Sequence, residues 1–433
     1  MVTSPARIDR DIAGLAIPAL GALLVEPLFL LADTAMVGHL GQDALAALAV
    51  ATNILQTLVG LMVFLAYATT PAVARHLGEG RRDLALTAGV SGMWLAALIG
   101  VVLLAVGLPT AGLMVEAFGV TPEVAGQAHG YLSASLWGVP AMLLVFAGTG
   151  VLRGLQDTRT TLLVSALGFG ANIVLNAVLI YGAGLGVVGS GVGTALAQWG
   201  MAVAYILLVR RAARRERASL RPRWSDVGGV AASSWWLFLR TVSLRICVLA
   251  TVWVAARMGT TETANYQIVA TLFTTAAFAL DSLAIAAQAL VGKARGEGSG
   301  MQAYAVRLTR WGWLAGIVIG ILAAALSPVL GHAFTSDPAV LSALPATILL
   351  MAAGLPLAGY TFILDGILIG AEDYRYLAVA MLVTLMIQLA AVVAITTWAP
   401  TGLTGALALW ASYGFVFMGS RALVLGPRAA RIR

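Results

Sequence analysis

Twelve apolar stretches recur along this 433-residue chain, each long enough to cross a bilayer as a helix, and they leave room for little else. They run over residues 13–37, 45–72, 85–107, 128–150, 160–182, 187–209, 233–257, 264–291, 307–330, 344–370, 376–397 and 403–424. Inside hydrocarbon a backbone must satisfy its own polar groups, so only helices and closed barrels span. Long apolar runs, rather than short alternating ones, exclude the barrel. Charged residues are 10% of the chain, against about 25% in soluble proteins. The expectation is an all-α membrane protein. A single cysteine, Cys247, rules out an intrachain disulfide.

The net charge of +7 sits in the loops. Arg7 and Arg10 precede the first span, and Arg75, Arg81 and Arg82 separate spans 2 and 3. Arg153 and Arg159 follow span 4, and Arg210, Arg211, Arg214, Arg215, Arg217, Arg221 and Arg223 follow span 6. Lys293, Arg295, Arg307, Arg310, Arg375, Arg428, Arg431 and Arg433 continue the pattern. The alternate loops hold Glu116, Glu123, Glu262 and Asp337, with Arg257 as their main cation. The positive-inside rule then puts both termini in the cytoplasm of a multi-pass protein in the cytoplasmic membrane. The basic charge reports orientation, and no nucleic-acid partner is expected. The longest polar connection, 210–228, reads as a cytoplasmic linker between an amino-terminal six-helix lobe (1–209) and a carboxy-terminal one (229–433).

The two halves repeat. A shift of 218 residues carries Gly41 onto Gly259, and Gly78 and Gly80 onto Gly296 and Gly298. A shift of 216 carries Gly150, Gly154, Asp157 and Arg159 onto Gly366, Gly370, Asp373 and Arg375. Each repeat has an even number of spans, so both begin on the same side. The implied arrangement is two six-helix bundles related by a pseudo-two-fold axis along the membrane normal, with a substrate path where they meet.

Polar residues within spans are costly and mark function. Glu26 and Asp33 lie two turns apart on one face of span 1, whose Pro18 and Pro27 favour a bend. Asn172 and Asn176 lie one turn apart in span 5, and Thr194 follows a glycine-rich start to span 6. Gln267, Thr274, Asp281 and Gln288 form a seven-residue stripe down span 8, and span 10 pairs Thr361 with Asp365. Phe29, Tyr131 and Trp137 offer aromatic surface for a flat or cationic ligand. Arg240 and Arg245 in span 7 are expected to pair with acids or snorkel. Gly184, Gly186 and Gly189 fit the dinucleotide-binding spacing, but they lie in a loop between two spans, without the βαβ context that spacing needs. The four histidines lack metal-protease spacing, and no nucleophile–base pair is visible, so an enzyme is not expected. Without a nucleotide-binding domain, transport must draw on an ion gradient. A buried carboxylic acid suits that role, because burial penalises its ionised form and brings proton exchange into range.

Several motifs together resemble the MATE (multidrug and toxic compound extrusion) transporters, nearest to their DinF-type branch. They are Leu31 to Gly41 in span 1, Val151 to Arg159 after span 4, Ala171 to Asn176 in span 5, Leu280 to Gly292 in span 8 and Leu364 to Gly370 in span 10. The resemblance covers essentially the whole chain. It implies an antiporter that exports small organic, often cationic, substrates as H⁺ or Na⁺ enters. No cofactor is expected, and a monomer is the default expectation. Asp33 matches the coupling carboxylate, which is also where Na⁺ would bind, and Asn172 and Thr194 match polar partners of that site. Tyr131 matches a cavity aromatic and Pro18 the helix-1 proline. Asn176 stands where some relatives carry Asp, and span 7 lacks a Glu that another branch uses for Na⁺; both favour H⁺. Glu26, Phe29, Gln267, Asp281, Gln288 and Asp365 are expected to line the substrate cavity. The alternative from the wider superfamily is a flippase of lipids or lipid-linked oligosaccharides.

Overall fold

The computed structural model describes residues 4–222, 224–398 and 401–432, so Arg223 and Arg433 of the loop charges lie outside it. Its elements are helical, and no strand occurs among the described residues. The chain forms two compact units, Ile17–Ser234 and Met1–Ala16 with Trp235–Arg433.

The first unit takes most of α1 (Pro5–Gly38), then α2 (Gln42–Gly60), α3 (Phe64–Gly78), α4 (Arg82–Glu116), α5 (Pro122–Leu136), α6 (Val139–Gly154), α7 (Thr158–Ala177) and α8 (Gly186–Arg215). The second takes the start of α1, most of α9 (Trp224–Met258), then α10 (Thr260–Glu297), α11 (Met301–Leu330), α12 (Pro338–Gly370), α13 (Tyr374–Trp398), α14 (Gly402–Ala411) and α15 (Met418–Ile432). Among the described residues, eleven continuous helical segments are long and apolar enough to span, and α5 with α6, bent by 47°, makes a twelfth if the pair is one span. Span 4 therefore breaks at Gly138, just before Pro140, whose ring removes a backbone donor. A one-turn 3₁₀ segment joins α2 to α3, and π-helical turns follow α7 and join α14 to α15. α1 stays helical through Pro18 and Pro27.

Both units junction inside a helix, α1 at 16/17 and α9 at 234/235, and the 218-residue shift relates the two points. In the second unit, the start of α1 is clamped to α11. The carboxylate of Asp9 accepts from the Arg307 guanidinium at both oxygens and from Trp311 Nε1 at 2.8 Å. Tyr304 donates to Asp11 at 3.0 Å. In the first unit, Arg82 pairs with Glu216, and Trp94 donates to the carbonyl of Leu220, holding the end of the polar connection.

The repeat persists at atomic contacts. A Cβ at Gly150 would meet the Ala66 carbonyl at 2.9 Å, and one at Gly366 would meet the Ala284 carbonyl at 2.6 Å. A Cβ at Gly154 would meet Val73 Cβ at 2.6 Å, and one at Gly370 would meet Val291 Cβ at 2.9 Å. Such small residues let membrane helices approach closely. Gly41 and Gly259 both adopt positive φ (125° and 146°), and so do Gln156 and Glu372 (66° and 58°).

The exterior needs hydrocarbon. The most apolar window of each continuous span is only 22–50% buried. Ile17, Leu31, Val329 and Leu423 are each more than two-thirds exposed, a surface that water would penalise and lipid would not.

Candidate functional site

The first unit buries one carboxylate of span 1 among neutral donors. Asp33 is 2% exposed. Its Oδ1 accepts from Asn176 Nδ2 on α7 at 2.8 Å and from the Ser190 hydroxyl on α8. Asn176 Nδ2 also reaches Ser190 Oγ at 3.3 Å, closing a three-residue ring. Tyr131 on α5 is 2% exposed, with Ser135, Thr194 and Ser190 beside its hydroxyl and the Asp33 charge close by. Among the described residues, Asp33 accepts hydrogen bonds from Ser190 and Asn176, and neither donor is basic.

Local sequence explains the convergence. α8 begins Gly186-Val-Val-Gly189-Ser190-Gly191-Val-Gly193-Thr194, and each glycine removes a side chain facing a neighbour. A Cβ at Gly189 would strike the Leu179 carbonyl group at 2.8 Å, and one at Gly191 the Tyr131 carbonyl at 2.7 Å. A Cβ at Gly193 would overlap the side-chain oxygen of Asn176. Tyr181 donates to the Met36 carbonyl at 2.6 Å, tying the π-helical turn after α7 to α1 just past Asp33. The side-chain oxygens of Asn172 and Asn176 are buried without a hydrogen-bond partner. Buried acceptors left open cost about 1–3 kcal/mol each, so the pocket favours an occupant that donates or is cationic.

The other expected site residues scatter. Asn172 is buried one turn from Asn176 but makes no hydrogen bond to Asp33. Glu26 keeps accessible surface where Asp33 is buried, although the two acids share a helical face. Phe29 is buried and stacks on Phe169 at 5.3 Å, which makes it a contact between α1 and α7. The stripe on α10 grades from exposed Gln267 and Thr274 through half-buried Asp281 to buried Gln288.

Asp365 differs most from its expected role. It is 4% exposed, and its Oδ2 accepts from Arg240 on α9 at 2.7 Å and from Arg421 on α15. Arg421 also lies over the rings of Phe362 and Phe417, 5.7 and 5.4 Å from their centroids. Arg240 thus takes the acid partner expected of it. Elsewhere in this unit Gln388 Nε2 donates to Thr251 at 3.2 Å and Ser412 at 3.4 Å.

Sequence reasoning missed Ser190 and Arg421. Ser190 was visible one turn before Thr194 in the glycine-rich start. Arg421 was visible as a charge in the last span, where the 216-residue shift sets it against Tyr205. No cluster of three metal-ligating His, Cys, Asp or Glu occurs among the described residues.

Comparison with known proteins supplies the family. The MatE family model matches residues 18–178 and again 237–395, once per repeat. The chain is 30% identical to Protein DETOXIFICATION 44, chloroplastic, of Arabidopsis thaliana, over 97% of this chain and 82% of that protein. It is 27% identical to Protein DETOXIFICATION 43 of the same plant, over 89% and 84%. Among solved structures, the outward-facing conformation of a multidrug resistance MATE family transporter of the MOP superfamily superposes with a TM-score of 0.87 at 21% identity, covering 100% of this chain and 99% of that one.

Proposed function

The chain belongs to the MatE family of membrane transporters, and from that premise we propose that it is a secondary active exporter coupled to ion entry at Asp33. It is a transporter rather than an enzyme, as its relatives are named. The observation that carries the proposal is a buried carboxylate held by the neutral donors Asn176 and Ser190 among the described residues. Such a group gains or loses a full charge when it takes up a proton or cation, and no fixed cation opposes the change. Each charge crossing 100 mV supplies roughly 2.3 kcal/mol.

The coupling ion is read as H⁺. Asn176 provides a neutral amide where a second carboxylate would favour Na⁺, and Asp33 alone suffices for a proton. Occupation of Asp33 then changes how α1 packs against α7 and α8, with Pro18 as the point of bending. Organic cations are the proposed substrates, with exposed Glu26 on α1 of the first unit and exposed Gln267 on α10 of the second as candidate polar contacts, each within its own unit. The protein is taken to act as a monomer in the cytoplasmic membrane, with the arginine-rich loops and both termini in the cytoplasm and the polar connection 210–228 between two six-span lobes.

Reconstituted vesicles test this. Ethidium efflux is measured for wild type and Asp33→Asn with a pH gradient or a Na⁺ gradient imposed in turn. Efflux driven by the pH gradient and abolished by the substitution is expected. Full efflux by Asp33→Asn overturns the coupling role, and efflux that requires Na⁺ overturns the choice of ion.

A further inference from the structure

The glycine-rich loop that fits a dinucleotide spacing without its fold has another use. Gly184 and Gly186 line a cavity of about 420 Å³ in the first unit, with Leu40, Asp43, Gln127 and Val187. Both glycines adopt positive φ (67° and 55°), so the loop turns back without side chains and leaves this space open. The cavity lies at the end of the unit away from the arginine-rich loops.

Three helices run from the cavity to the Asp33 cluster in matching register. On α5, Gln127 in the wall is one turn from Tyr131. On α8, Val187 in the wall is one turn from Ser190 and two from Thr194. Leu40 in the wall lies in the turn just past the end of α1, seven residues beyond Asp33. Val37 lies between them one turn beyond Asp33, with no exposed surface. The cavity's one charged lining residue is Asp43, in the first turn of α2.

We propose that this cavity is the access vestibule for the coupling ion. A monovalent cation, hydronium or Na⁺, gathers at Asp43 and Gln127 and passes Val37 to reach Asp33. The proposal rests on the reading of Asp33 as the coupling site. Asp43 is exposed at the mouth of this cavity, where its carboxylate raises the local cation concentration; fields focused in charged clefts change arrival rates by about 10–10³-fold. Val37 separates the collected ion from Asp33 until α1 shifts, which keeps the two steps distinct.

Thiol chemistry reads the vestibule independently of transport. The native Cys247 is buried, so a cysteine placed at Gln127 or Val188 supplies the reactive thiol, with the unsubstituted protein as control. Modification by a positively charged methanethiosulfonate is expected to outpace that by a negatively charged one of similar size by about tenfold. Adding Asp43→Asn should remove most of that preference. In vesicles, Asp43→Asn should weaken pH-driven efflux at low ion concentration and recover it at high concentration. If Asp43 serves only the start of α2, its substitution lowers thermal stability and leaves both the charge preference and the ion dependence unchanged; that result overturns the vestibule. Equal reaction of both reagents at Gln127→Cys and Val188→Cys also overturns it. An Asp33→Asn protein that still transports defeats the coupling reading instead, and leaves the reagent preference standing as a separate fact.

Discussion

The two units place charge at opposite members of one pair of repeated positions. In the first unit, the polar site of span 1 carries the carboxylate Asp33, while Thr149 and Tyr205 share a neutral hydrogen bond of 3.0 Å. The 218-residue shift carries Asp33 onto Thr251, and the 216-residue shift carries Asn172 onto Gln388, so the second unit has a neutral Thr251–Gln388 bond at positions whose first-unit counterparts are not bonded to each other. The same shift carries Thr149 onto Asp365 and Tyr205 onto Arg421, so the neutral bond of the first unit becomes an ion pair in the second. One buried acid is held by hydroxyl and amide, the other by two guanidiniums. The first is free to change its charge. The second is fixed, because losing its charge leaves two buried cations without their partner. A duplicated scaffold thus carries one acid suited to ion exchange and one suited to holding helices together.

The largest test of this contrast is Asp365→Asn. It should cost about 3–5 kcal/mol, read as thermal unfolding in detergent. Asp33→Asn keeps an acceptor for Ser190 and should cost less than about 1 kcal/mol while transport stops. Equal destabilisation by the two would break the comparison. It sharpens if Arg240→Ala, Asp365→Thr and Arg421→Tyr are combined, which copies Ala22, Thr149 and Tyr205 of the first unit and should return stability to within about 2 kcal/mol of wild type.

Gly193→Ala is the next in size. Its methyl displaces the Asn176 amide, for about 1–3 kcal/mol of overpacking, and pH-driven efflux should fall in step with the loss of the Asn176–Asp33 bond. The matching position of the second unit is the fully buried Leu409, so the need for glycine belongs to the charged site and not to the helix pair as such. Retained efflux in Gly193→Ala would detach Asn176 from coupling.

The smallest effect concerns the repeated loop acids Glu79 and Glu297. Glu79 accepts from His76 at 2.8 Å, and that bond, with Arg75 and Arg81 nearby, holds its carboxyl below the usual range. Glu297 has Lys293 at 3.7 Å. A depressed carboxylate stabilises above its unfolded pKa, about 4.3, and this is lost as pH falls through the folded value. The difference in unfolding temperature between wild type and Glu79→Gln should therefore be present at pH 7 and vanish in acid, amounting to about 0.5 kcal/mol for so open a pair.

Span count, family and repeat were legible because hydropathy and glycine spacing act locally. Asp33 and Asn176 were legible for the same reason, since a polar side chain in an apolar run has few explanations. What was not legible depended on contacts across the sequence. Ser190 looked like any small residue of a glycine-rich helix start, and only its approach to α1 makes it a donor. Asp365 resembled a cavity acid because its two arginines come from spans 125 and 56 residues away. Phe29 reads in sequence as available to a ligand, but Phe169, 140 residues on, stacks against its ring.

The clamp on the first helix has a consequence for biosynthesis. Asp9 leaves the ribosome early, yet Arg307 follows 298 residues later. At about 5–20 residues per second, that is roughly 15–60 s during which the leading turns of the chain await their partners on α11. The residues around Asp9 therefore complete a unit whose other helices are made later, and a change at Asp9 acts on the carboxy-terminal half.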